Sequence, residues 1–347
     1  VKKFSINALL VFVGLIVGCS GGAINVGPYA VSCNDWDQLK PSDQEAIKSS
    51  ALDVLKKLSK GETKEVLENS HPLFKNSATQ EQFDKAVENI RPRLTQADRA
   101  NLIDGRLLTL TSVTNQSVDT VCGVVDPNAP AYLKVRAFSS GSGVQKVAIT
   151  MFEIPSQPLK WVASLQMSEQ EGRYKFVRID INTAGYNGKD SHYYARIAEG
   201  WFTNKRLFPA YVAFSMALNL SQRGSTLQTS AQIKYSGRVA DLEKNDDVKS
   251  ELKTWKVEDI NYEIYRIGLI ETLNDVSIWV HYISRQPLGE TTTTKEASKL
   301  MEYLKQKYPE LAEEFEFVVF QAFSEPPNDP NRQYEYYRVP LRFRAPN

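Results

Sequence analysis

The hydrophobic period of this chain changes at Gly105. Before it, apolar residues recur at helical spacing; after it, they alternate with polar ones. A helix returns to the same face about every 3.6 residues and a strand every second residue, so the two patterns demand different elements. Helices followed by antiparallel strands give an α+β domain. Upstream, Pro41-Ser42-Asp43-Gln44-Glu45 predicts a helix start in which Ser42 and Glu45 cap reciprocally. Ile47, Ala51, Val54, Leu55 and Leu58 form its apolar face, and Gly61 ends it. A short helix follows over residues 63–69. Thr79 with Gln82 opens a third, led by Phe83, Ala86, Val87 and Ile90 and stopped before Pro92.

Downstream, residues 106–114, 117–125, 131–138, 145–154, 159–166 and 173–181 read as six strands. Turn residues separate them, including Asp126-Pro127-Asn128, Gly141-Ser142-Gly143 and Glu171-Gly172. The expectation is a curved six-strand antiparallel sheet around three helices, with one concave face. Trp161, Tyr174 and Phe176 are candidates to line an apolar pocket there. A filled core would use the same residues.

This layout, with Lys160-Trp161-Val162 and Tyr174-Lys175-Phe176-Val177-Arg178-Ile179 closing it, resembles the cone-shaped nuclear-transport-factor-two-like fold. The stretch 55–70 and Thr79-Gln80-Glu81-Gln82-Phe83 are similar to exported bacterial versions. The resemblance covers residues 35–182 and implies a cone-like domain over 35–186. That fold hosts enzymes, ligand binders and assembly modules, so it implies no single activity.

Lys2 and Lys3 precede a short apolar run, residues 8–17, and Gly18-Cys19 follows it. A basic start, an apolar middle and a small-residue cleavage site make a secretory signal. Ile16-Val17-Gly18-Cys19 resembles the lipobox of bacterial lipoproteins. The resemblance implies a signal peptide over 1–18, cleavage before Cys19 and lipid attachment, palmitate included, at that thiol. Ser20 in the next position implies the outer membrane, facing the periplasm, in a bacterium with two membranes. Residues 19–34 are Gly-rich at their start and read as a flexible tether.

Of the three cysteines, Cys33 and Cys122 remain. A pair in an exported chain predicts a disulfide. It would close a loop of about 90 residues, worth roughly 4–5 kcal/mol on chain entropy. Two cysteines so far apart, with scattered histidines, lack zinc-ligand spacing, so no metal or other cofactor is expected. Net charge is +1 with no basic stripe, which argues against nucleic acid.

Ala184-Gly185-Tyr186-Asn187-Gly188-Lys189 marks a boundary. Residues 190–245 read as mainly helical, with 225–239 fitting either helix or strand and leaning to helix. Residues 255–347 read as a small ββαββ domain. Its hairpin joins 262–272 to 276–284, Thr293 and Glu296 cap its helix, and strands 315–323 and 334–341 follow.

No residue constellation names a reaction. His71 precedes Pro72 and reads as a helix-end residue, and His192 as part of a solvated first turn. His281 shares a strand face with Trp279 and Ile283, as a core histidine or a perturbed base. Tyr334, Tyr336 and Tyr337 alternate near the end. The expectation is a lipid-anchored envelope protein of non-enzymatic type that binds a partner protein or a small apolar ligand. The alternatives are a small-molecule isomerase or hydrolase using a cone-fold pocket, and an envelope structural factor.

Overall fold

The structure, a computed structural model, describes residues 30–111, 117–123, 126–130, 132–138, 143–272, 274–329 and 331–343. The signal-like segment, Cys19 and the first part of the expected tether lie outside these residues.

The chain is α+β and divides into two compact units. The first takes the described residues up to Gly188 together with Leu220–Lys234. It opens with strand β1 (Ala30–Asp35), then helices α1 (Pro41–Lys60), α2 (Thr63–Asn69), α3 (Pro72–Lys75) and α4 (Gln80–Ile90). Strands β2 (Asn101–Thr111), β3 (Ser117–Cys122), β4 (Leu133–Phe138), β5 (Val144–Ile154), β6 (Leu159–Gln170) and β7 (Arg173–Tyr186) follow, and β8 (Lys189–Asp190) comes next in the chain, where the second unit begins.

The five apolar residues expected inside α1 are its buried residues, and Gly61 closes it in the left-handed conformation (φ 79°). Its start differs from expectation. Lys40 occupies the N-cap and Pro41 the first turn, so Ser42 lies inside the helix. Proline suits that position because its missing N–H would have no intrahelical partner. The Thr79–Gln82 capping box does form at α4.

A curled six-stranded antiparallel sheet runs in the order β1-β2-β5-β6-β7-β8. Two expectations change here. Residues 30–34, read as tether, belong to β1 and pair along β2, with Cys33 opposite Leu108. Strands β3 and β4 leave the large sheet and form a second one with β9 (Leu227–Thr229). The small sheet presents Val118, Leu133, Val135, Ala137 and Leu227 to Leu108, Leu110, Val147, Ile149 and Met151. Two apolar faces are thereby removed from water together, which is the ordinary reason for sheets to stack. The Cys33–Cys122 disulfide joins β1 to β3, with α-carbons 5.4 Å apart.

The second unit takes Lys189–Asn219 and the described residues from Tyr235 onward. Helices α5 (Ser191–Thr203) and α6 (Leu207–Ser221) precede β9, and α7 (Ser230–Glu243) follows it. The ambiguous stretch 225–239 is therefore a short strand and then a helix. Next come α8 (Asp246–Glu251), β10 (Thr254–Val257), β11 (Ile260–Glu271), β12 (Val276–Ile283), α9 (Glu290–Lys307), α10 (Leu311–Glu314), β13 (Phe317–Phe323) and β14 (Tyr336–Arg342). The sheet order is β10-β11-β12-β13-β14, so β10 adds a strand to the expected ββαββ order. Strands β12 and β13 run parallel, with α9 between them in sequence. Helix α9 starts three residues earlier than its expected cap. Gly289 is the N-cap, while Thr293 and Glu296 are buried on the helix. Glu296 instead accepts from Ser284 Oγ at 2.7 Å and from the Arg285 N–H at 3.0 Å, tying α9 to the end of β12.

Candidate functional site: an apolar groove in the first unit

Three aromatic rings from three elements meet beside β7. Phe74 lies on α3, Phe83 on α4 and Phe176 on β7. Phe74 stands edge-on to both others, with centroids 5.0 Å from Phe83 and 4.9 Å from Phe176. Edge-to-face pairs at such distances are favoured by the ring quadrupole. Two local features fix this meeting. His71 caps α3 by accepting from the Leu73 N–H at 3.3 Å, and its own N–H donates to the Phe176 carbonyl at 2.9 Å. The chain turn before α3 is thus pinned to β7. Burial, reinforced by the charge of Lys175, holds the His71 imidazole below its usual pKa, consistent with a neutral acceptor.

Around this cluster runs a groove of about 250 Å³. Leu73, Phe74, Phe83, Ala86, Val87 and Ile90 form its helical wall; Phe138, Phe176, Val177 and Ile179 form its strand wall. Ser77, Gln82 and Arg178 supply its polar groups. Arg178 is held in place by Asp180, which accepts from its Nε at 2.7 Å and its Nη2 at 2.9 Å, and by Ser225 Oγ at 2.8 Å. Mostly apolar lining with a few fixed polar groups is the usual make-up of a small-molecule site, and this volume falls just below the usual range of about 300–1,000 Å³. It suits one large side chain or a short acyl segment.

Of the three aromatics singled out from sequence, the groove includes only Phe176. Trp161 is 2% exposed and lies under the Arg93 guanidinium, 4.9 Å from ring centroid to Cζ. Tyr174 is buried too. Its pKa is pushed up to about 12 by burial, with Asp43 and Glu169 adding to the shift. Both belong to the core. Tyr174 and Phe176 share a strand face, but two residues of strand separate them by roughly 7 Å, and the groove reaches only one.

Of the aromatic lining residues, Phe74 and Phe138 are those the sequence did not flag. Pro72-Leu73-Phe74 carried a signal, a proline at a helix start followed by an apolar pair. Phe138 carried none, because its place depends on β4 joining the small sheet.

The histidines fall in three different settings. His71 is the cap just described. His192 Nδ1 lies 3.2 Å from the Tyr235 hydroxyl. His281 is buried on β12 with Nε2 unpartnered. A wider cleft of about 640 Å³ lies along Trp36, Gln44, Lys48 and Asp104, open and polar in its lining. No cluster of metal-ligating side chains occurs among the described residues, and no helix among them is long and apolar enough to cross a membrane. Compared with protein-family models, curated proteins and solved structures, the chain matches none.

Proposed function

We propose that this chain is a lipid-anchored protein of the bacterial envelope that binds an apolar group in the groove between α3, α4 and β7. The group belongs to a small apolar ligand or to a partner protein. The observation that carries the reading is the groove itself, an open aromatic-lined space between α3, α4 and β7. The lipobox-like Ile16-Val17-Gly18-Cys19 supplies the address, and the Cys33–Cys122 disulfide fits an oxidising compartment. The first unit reads as a cone-like module. Helix α1 against the curled sheet supports that reading, while the transfer of β3 and β4 to a second sheet departs from it.

An isomerase or hydrolase would need an acid or base within hydrogen-bond reach of bound substrate. The groove's ionisable lining residue is Arg178, already engaged by Asp180. That favours binding over chemistry.

The test uses the chain with Cys19→Ala, free of lipid and detergent, titrated with an apolar fluorescent probe. One saturable site is expected. Ala86→Leu, which fills the groove from α4, should weaken it about tenfold while leaving the melting temperature near that of the parent. Probe binding that ignores this substitution would refute the groove as the site.

A further inference from the structure

The sheet of the second unit carries a row of polar side chains remote in sequence from the groove. Strand register sets Arg266 opposite His281, His281 opposite Gln321, and Gln321 opposite Arg338. Residues directly opposite one another share a sheet face, so the four form one line across β11 to β14. Trp279, two residues before His281, stands on the same face. Tyr282 points to the other face, where it meets Glu296 of α9.

The middle of the row is buried and its ends are exposed. His281 and Gln321 are 7% and 4% exposed, whereas Arg266 and Arg338 are open to solvent. The His281 ring meets Trp279 edge-on with centroids 4.0 Å apart, and Phe323 lies 5.5 Å away. His281 Nε2 and Trp279 Nε1 are both buried without a hydrogen-bond partner. Two such nitrogens side by side are unusual, because buried polar groups are nearly always satisfied.

Both cations lie close enough to this pair of rings to act on His281 electrostatically. Arg338 donates from Nε to Gln321 Oε1 at 2.6 Å and lies over the Trp279 ring at 5.4 Å, leaving its Nη groups unengaged. Arg266 has no hydrogen bond or ion pair among the described residues. Its Nε lies 3.9 Å from where a β-carbon on Gly268 would stand, and Gly268 is opposite Trp279. Burial first, and then both guanidiniums, keep His281 neutral. The row itself contains no acid; Glu243 accepts from the Tyr211 hydroxyl, within electrostatic reach of Arg266.

We propose that this row is a binding site for an oxyanion, a carboxylate or phosphate group held between Arg266 and Arg338. Strands lie about 4.8 Å apart, so the two arginines stand roughly 14 Å apart at the backbone, a span that two extended guanidinium side chains close from either end. Guanidinium forks match the oxygens of both anions bidentately. The Trp279 N–H and the Gln321 amide supply neutral donors beneath, and His281 Nε2 gains a partner when its tautomer places a proton there. The site shares no residue with the apolar groove and stands or falls separately from it.

Calorimetric titration of the full chain in neutral detergent at low salt tests this, with inorganic phosphate and succinate as separate probes. Saturable binding of at least one is expected. Arg266→Gln and Arg338→Gln should each weaken it about tenfold, and Lys249→Gln, on exposed α8, should not. The imidazole C–H signals of His281 should shift as the anion is added. Binding of phosphate alone assigns a phosphate-bearing ligand, of succinate alone a carboxylate, and of both a general oxyanion site. Arg338→Lys keeps the charge if the glutamine variant fails to fold, and should retain weaker binding. No saturation with either anion, or binding that survives the double Arg→Gln variant, overturns the proposal.

Discussion

Gly224 lies against Asp180 at a distance that only glycine permits. A β-carbon at Gly224 would stand 2.5 Å from both Cβ and Cγ of Asp180, and the glycine φ is +107°. Asp180 is the acid that holds Arg178 at the groove. The loop before β9 and the polar end of the groove are therefore set by one contact. Gly172 has a comparable φ of +76° but open space around it. Gly224→Ala should cost about 2–4 kcal/mol, combining left-handed strain with overpacking, and Gly172→Ala only about 1 kcal/mol. Urea unfolding of the two variants checks this. Equal losses would mean that the Gly224–Asp180 contact is not limiting.

The disulfide gives a second expectation. Cys33 and Cys122 are 89 residues apart and join different sheets. Cys33→Ser and Cys122→Ser should each lower stability by about 2–5 kcal/mol, and the double variant should lose no more than either single one. Additive losses in thermal melts would show two independent thiols.

Much of this was legible beforehand, and the exceptions have a common cause. The inner face of α1, the Thr79–Gln82 cap and the two cysteines follow from local spacing, which the sequence displays directly. Strand β1 did not, because its residues follow a Gly-rich stretch and take strand form by pairing with β2. The small sheet did not either. Leu133 and Val135 alternate as a strand should, but their partner β9 lies about 90 residues downstream, and such long-range pairing leaves no local trace. The Arg266–His281–Gln321–Arg338 row was invisible for the same reason. His281 was conspicuous as a polar residue on an apolar strand, but its neighbours emerge only with the register.

His281 also makes stability depend on pH. Its folded pKa is pushed down to about 3, chiefly by burial, with Arg266 and Arg338 adding to the shift. The unfolded imidazole titrates near its ordinary value of about 6.5. Between these values the unfolded chain binds the extra proton, so this stabilising contribution is present above pH 6.5 and is lost as pH falls. From pH 7 to pH 5 the parent should lose about 2 kcal/mol more than His281→Gln. Denaturant unfolding at both pH values decides. Parallel losses would show that His281 is protonated in the folded protein.

Removal of the proposed lipid-attachment thiol should change location and not fold. Cys19→Ala should shift the protein from the membrane to the released fraction of cells while keeping the melting temperature of the delipidated parent. Retention at the membrane would argue for another anchor.

The most direct measurement of the central claim is photo-crosslinking in cells from single positions along the groove. A photoreactive residue placed at Ala86 or Phe138 should capture one common species, a small apolar molecule or one protein. The same residue at Lys48, on the outer side of α1, should capture nothing in common with it. Capture of the same species from all three positions, or from none, would contradict the assignment of the α3–α4–β7 groove as the binding site.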